Sequence, residues 1–249
     1  MESLPTLSEM NPDSSFAHRT PLILGHRGAP KAAPENTLAA FAAALDEGAD
    51  GVELDVHRTH DGVIVVHHDP TLSDGRAIAQ LTMAELPEFV PTLVQVLEVL
   101  GDLECNVELK SDPSDPAYDL TDSYAAAVLH AVSEAGAAQR VIYSSFDKTT
   151  AEHVVRLDDS ARVGWLVAVG AVLEDVIDEA RAAGFSAIHP FVWSVTSEGL
   201  AAAHAAGLEI NTWTVNGEDD LKAMVALGVD CIITDRPDLG LKAIAGSLN

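Results

Sequence analysis

From Pro21 onward the chain repeats one pattern: a short aliphatic run, a turn, then an Ala-rich stretch with apolar residues at helical spacing. Strand-like runs fall at 22–25, 51–57, 104–110, 140–144, 162–167, 186–189, 208–214 and 229–234. Helical patterns fall at 37–47, 92–100, 118–135, 147–158, 171–183, 196–206, 217–226 and 237–246. A further helical pattern covers 82–88, and a further strand-like run, 63–67, follows the turn His60-Asp61-Gly62. The Asp-Gly pair predicts a hairpin between 51–57 and 63–67. With that hairpin strand set aside, eight strand–helix units remain. Parallel strands need helical crossovers, and eight such units match a closed (β/α)8 barrel. A doubly wound open sheet is disfavoured, because no Gly-rich dinucleotide fingerprint follows the first run. No linker interrupts 19–249, which reads as one domain, and 1–18 reads as a mostly polar tail.

Composition narrows the partners. Asp and Glu number 39 against 14 Lys and Arg, a formal charge of −25 spread along the chain. That field repels nucleic acid and anionic membranes, and neither is expected as a partner. A small anion is still admissible, because a local cationic cluster dominates within a Debye length of about 8 Å. No apolar run is long enough to span a bilayer, and the first twenty residues lack a signal peptide's basic and apolar regions. A cytoplasmic protein without a membrane anchor is expected. Cys105 and Cys231 lie in separate apolar runs and read as buried core residues. Nothing in the sequence sets the oligomeric state.

Glu53 and Asp55 stand two apart in a strand-like run, so they share one face, and His57 continues that face. Acids facing a barrel interior must be solvated, paired or bound to a cation, and carboxylates suit Mg²⁺ or Ca²⁺. Glu108 and Lys110 share a face on another run, either as a structural ion pair or with Glu108 as a third ligand; the first two acids favour the third ligand. His26-Arg27-Gly28 directly follows the first run. Histidine suits proton transfer and arginine suits phosphate recognition. His67 and His68 alternate, so periodicity allows one of them to face the site without saying which. Trp213 shares a face with Asn211 and Val215, and either lines a pocket or packs in the core.

Taken in order, Gly25-His26-Arg27-Gly28, Pro34-Glu35-Asn36-Thr37, Glu53-Leu54-Asp55-Val56, Asp61-Gly62 and His68-Asp69-Pro70 resemble the glycerophosphodiester phosphodiesterase family. The resemblance continues through Pro91-Thr92-Leu93, Glu108-Leu109-Lys110, Ser145-Phe146, Trp213-Thr214-Val215-Asn216 and the segment from Asp230 to Pro237. It implies a (β/α)8 barrel that hydrolyses a small glycerophosphodiester to sn-glycerol 3-phosphate and an alcohol. It implies His26 and His68 as general acid and base, selecting His68 over His67. It implies Glu53, Asp55 and Glu108 as ligands of one divalent cation, Mg²⁺ or Ca²⁺. Arg27 and Lys110 are implied at the phosphate, with Glu35 beside metal and substrate; Trp213 is expected at the substrate from its place on a late strand near the barrel mouth. The chain departs from the family after His68-Asp69: Ser73-Asp74-Gly75-Arg76 runs quickly into Leu81-Thr82, so the insertion after the second barrel strand is reduced. Two alternatives remain: a lysophospholipase D-like phosphodiesterase, and a catalytically silent phosphoester-binding barrel.

Overall fold

Short runs of Val, Ile and Leu pair edge to edge because their backbone groups, once buried, need partners. In the computed structural model, which describes residues 20–247 apart from 116, 117 and 120, nine such runs form one sheet. They are β1 (Leu22–His26), β2 (Gly51–Arg58), β3 (Ile64–Val66), β4 (Glu104–Leu109), β5 (Val141–Ser145), β6 (Arg162–Leu166), β7 (Ala187–His189), β8 (Glu209–Thr212) and β9 (Cys231–Thr234). All but β3 pair in parallel, and β1 pairs with both β2 and β9, so eight strands close into a barrel. The strand β3 lies antiparallel on the end of β2, as the Asp61-Gly62 turn predicts. The expected tail, 1–18, lies outside the described residues.

Among the described residues eight helices cover the barrel: α1 (Leu38–Asp46), α2 (Leu93–Leu100), α3 (Ser123–Glu134), α4 (Lys148–Leu157), α5 (Leu173–Ala182), α6 (Ser197–Ala205), α7 (Glu218–Leu227) and α8 (Pro237–Ser247). Side-chain caps set several starts. The Thr37, Thr92 and Thr196 side chains each accept a first-turn backbone N–H, and Asp147 accepts two. None of the described helices is long and apolar enough to cross a membrane.

Two expected helices differ. The pattern at 118–135 becomes helical only at Ser123, because Asp119 gathers the preceding turn. Its carboxylate accepts from the backbone N–H groups of Thr121 and Tyr124 and from the Thr121 and Ser123 hydroxyls, and it pairs with Arg58. The pattern at 82–88 is a single tight turn, Met83–Glu85, closed by a Thr82–Glu85 capping box before Pro87. That turn belongs to the shortened insertion, whose Leu72, Ile78 and Val90 form a small separate core with Val65 of β3.

Strand periodicity sorts the core. Val52, Leu54 and Val56 of β2 face outward, in one cluster with Phe41 of α1 and Leu97 of α2. The alternate residues Glu53 and Asp55 face inward, as do Leu24, Cys231 and Ile233, which form their own cluster. On β4 the same face carries Glu104, Asn106 and Glu108. Glu104 pairs with Arg162 across the lower mouth at 2.7 Å, and Asn106 donates to Ser144 at 3.0 Å. His189 sits fully buried in this polar layer, and burial pushes its pKa down to about 3, so it is neutral. Cys105 and Cys231 are buried free thiols, as expected.

Candidate active site

The upper rim of the barrel is built by the residues that end or follow each strand, the usual place for chemistry in this architecture. Parallel register brings the acids together: Asp55 of β2 lies beside Glu108 of β4, and His26 of β1 beside Glu53 of β2. Oxygens of Glu53, Asp55 and Glu108 lie within 4.8 Å of one another, and all three residues are buried.

Such a trio is electrostatically frustrated without cations. Burial, then the charges of Asp55 and Glu108, push the Glu53 carboxyl well above its usual range. Burial, then Asp55, push Glu108 up to about 7. Burial opposes ionisation of Asp55 as well, but Lys110, Arg27 and a hydrogen bond from Asn36 outweigh it and hold that carboxyl low. Lys110 Nζ lies 2.9 Å from Glu108 and 3.4 Å from Asp55. Arg27 Nε lies 3.4 Å from Asp55 without a hydrogen bond, while Nη1 donates to Glu35 at 2.9 Å. Two fixed cations thus face three buried carboxylates. The deficit of positive charge and the all-oxygen donor set fit a divalent cation.

The strained loop after β1 carries Arg27. Its φ is +56°, uncommon outside glycine, and its backbone N–H reaches both the carbonyl and the carboxylate of Glu53. Gly28 follows at φ +90°, where a Cβ would lie 2.6 Å from the Ala40 backbone, so no larger residue fits against α1. Asn36 closes the loop, also at φ +56°, with its N–H on the Arg27 carbonyl and its amide donating to Asp55 at 2.8 Å.

The two implicated histidines stand on either side of the acids. His26 Nε2 lies 3.9 Å from Glu53, and its Nδ1 lies 2.7 Å from Asp235 Oδ1. His68 Nδ1 lies 2.7 Å from Asp69 Oδ1. His68 lines, with His57, Glu108, Lys110, Tyr118 and Phe146, an open groove of about 1590 Å³. His57 points Nε2 at the His68 carbonyl at 3.1 Å, and burial lowers its pKa. His67 turns instead to the Asp69 carbonyl. Trp213 lies just past β8, edge-on to Phe146 and Phe191. Its indole N–H is taken by the His189 carbonyl, which leaves ring surface as what it offers.

Nine residues were singled out from the sequence, and the barrel brings His26, Arg27, Glu35, Glu53, Asp55, Glu108 and Lys110 into one connected cluster. His68 joins it through the groove. Asn36, Asn216 and Asp235 had no assigned role. Asp235 follows a barrel strand directly, a position that marks rim residues and is visible in the sequence.

Known proteins resemble this chain over most of its length. The Glycerophosphoryl diester phosphodiesterase family model matches residues 26–239. A glycerophosphodiester phosphodiesterase of Caldanaerobacter subterraneus subsp. tengcongensis is 33% identical over 237 residues, which is 87% of this chain and 95% of the relative. A glycerophosphodiester phosphodiesterase structure from Parabacteroides distasonis superposes with a TM-score of 0.81 at 27% identity, covering 92% of this chain and 99% of that one. A phosphodiesterase of Oleispira antarctica, in complex with its product sn-glycerol-3-phosphate, superposes with a TM-score of 0.79 at 25% identity, covering 91% and 97%. The barrel, the rim acids and these matches over nearly the whole chain agree: the chain belongs to the glycerophosphoryl diester phosphodiesterase family and is a phosphoric diester hydrolase.

Proposed function

We propose that this chain hydrolyses small glycerophosphodiesters to sn-glycerol 3-phosphate and an alcohol, using a divalent cation and the imidazoles of His26 and His68. The observation that carries this reading is the buried trio Glu53, Asp55 and Glu108, faced by Arg27 and Lys110. Three ionised carboxylates against two cations leave one negative charge; a divalent cation makes the site singly positive, and a singly negative phosphodiester then brings it to neutrality. Burial of the three acids favours that balance, because uncompensated charge is costly there.

Each group has a task. A bound cation would withdraw charge from the phosphoryl oxygens and stabilise the charge that builds during displacement. Arg27 and Lys110 bind and orient the phosphate, and Arg27 is itself held by Glu35 and Asp55. One histidine accepts the proton of the attacking hydroxyl, from water or from the glycerol 2-position; in the second case a cyclic phosphate forms, and water then opens it to glycerol 3-phosphate. The other gives a proton to the departing alcohol oxygen as the bond from phosphorus to that oxygen breaks. Trp213 and Phe146 present aromatic surface beside the groove.

The test is release of glycerol 3-phosphate from glycerophosphocholine, glycerophosphoethanolamine and glycerophosphoglycerol, with a lysophospholipid beside them. Release is expected from the first three, abolished by chelation and restored by Mg²⁺ or Ca²⁺. Acid–base assistance is worth about 10²–10⁴-fold per group, so His26→Ala and His68→Ala each lose nearly all turnover while keeping the fold. Turnover of the lysophospholipid alone would replace this reading with a lysophospholipase D. Absence of turnover on every substrate and metal would leave a silent barrel.

A further inference from the structure

Residue 26 ends β1, and residue 235 follows β9. These strands pair in parallel, with Gly25 opposite Thr234, so the next residue of each strand meets its neighbour at the rim. His26 Nδ1 and Asp235 Oδ1 are 2.7 Å apart although 209 residues separate them. Asp235 is itself fixed. Its Oδ2 accepts from Asn216 Nδ2 at 2.8 Å, and its backbone N–H donates to Asn216 Oδ1 at 2.9 Å. Asn216 Oδ1 also accepts from the Thr234 hydroxyl at 3.3 Å. Both carboxylate oxygens are therefore engaged, one by an amide donor and one by the imidazole.

We propose that Asp235, oriented by Asn216, is a positioning residue that holds His26 in the tautomer protonated on Nδ1, leaving Nε2 toward the acid trio to transfer the proton. The proposal rests on the reading that His26 is an acid–base group. An ionised carboxylate can only accept, so the nitrogen facing it must carry hydrogen. The aspartate is ionised: burial opposes this, but the hydrogen bond and charge of His26 and the Asn216 amide hold its pKa below the usual range. The other ring nitrogen, Nε2, points toward Glu53 at 3.9 Å, the side from which the trio approaches. When Nε2 takes a proton, the carboxylate behind the ring stabilises the imidazolium, and the fixed Asn216 clamp prevents the ring from turning away. His68 has a carboxylate partner too, but Asp69 is 67% exposed, so solvent screens it more than Asp235, which is 19% exposed.

Asn216 makes the proposal sharp. Its Oδ1 is committed to the Asp235 backbone N–H, so its Nδ2 is what faces the side chain at position 235. In Asp235→Asn the new amide must turn its oxygen to Asn216 and its NH2 to His26. The ring then has to accept at Nδ1, and its proton moves to Nε2. Combining Asn216→Asp with Asp235→Asn reverses this. The carboxylate introduced at position 216 accepts both the backbone N–H of position 235 and the amide introduced there, and the oxygen of that amide faces His26 again.

The test combines ¹⁵N NMR of the histidine rings with steady-state kinetics on glycerophosphocholine plus divalent cation. The His26 signals are assigned by their loss in His26→Ala. The wild-type enzyme should show His26 protonated on Nδ1. Asp235→Asn should move the proton to Nε2 and lower kcat about 10²–10⁴-fold with KM nearly unchanged. The double swap should restore Nδ1–H and at least about tenfold of the lost kcat. A wild-type ring unprotonated on Nδ1 overturns the proposal without any variant having to fold. Asp235→Asn with near-normal kcat overturns it, and so does a swap that restores the tautomer without restoring kcat. Wild-type turnover in His26→Ala would instead refute the acid–base reading, while the tautomer measurement would still report on the Asp235 contact.

Discussion

Replacing Glu108 by Gln removes one charge from the buried trio and keeps its size. Glu108 titrates near 4.5 when unfolded and is pushed up to about 7 in the folded protein, by burial first and Asp55 second. Between those two values the folded protein holds the proton that the unfolded chain has already lost. The contribution of Glu108 to the stability of the metal-free wild type therefore falls as pH rises through that window and levels off above it. At roughly 1.4 kcal/mol per pH unit, the span from 4.5 to about 7 amounts to about 3 kcal/mol. Glutamine carries no such penalty. The stability gap between Glu108→Gln and wild type should open from near zero at about pH 4.5 to about 3 kcal/mol, with the variant the more stable, at about pH 7.5. In a domain of this size that is about 6–12 °C in Tm. His57, lowered by burial, acts in the opposite sense in both proteins and cancels in the difference. The assay is thermal or urea denaturation in chelator across this pH range. Adding Mg²⁺ or Ca²⁺ at a hundredfold over Kd should then return about 2.7 kcal/mol to the wild type and markedly less to the variant. A gap that stays flat with pH, or a metal response equal in both proteins, would refute the account of the trio.

Three further outcomes are expected. Lys110→Met removes the ammonium 2.9 Å from Glu108 and should lower kcat/KM about 10²-fold in the phosphodiesterase assay. Asn36→Gly should cost about 1–2 kcal/mol in urea unfolding for the lost buried hydrogen bond to Asp55, and Asn36→Ala about 1 kcal/mol more, because alanine is strained at φ +56°. Gly51→Ala should destabilise by at least about 3 kcal/mol or prevent folding, seen as loss of soluble cooperative unfolding, because a Cβ there would overlap the Glu104 backbone carbonyl of the paired strand.

Periodicity in the chain was enough to place all eight barrel strands and most helix starts. The helical patterns that begin at 37, 92 and 147 agree with α1, α2 and α4, where Thr37, Thr92 and Asp147 cap N–H groups of the adjoining turn, an interaction between neighbours in sequence. The inward face shared by Glu53 and Asp55 was equally legible, since a strand's period of two requires no knowledge of what lies opposite. The start of α3 was not, because Asp119 holds the preceding turn partly through Arg58, a residue 61 positions away. Placing Glu108 beside Asp55 required register between β2 and β4, and pairing His26 with Asp235 required the barrel to close. The sequence by itself determined the architecture and which acids look inward, because both follow from local spacing. Only the tertiary structure decided that three carboxylates share one space with two cations and that His26 leans on Asp235, because distances between strand ends exist only once parallel register and closure are set.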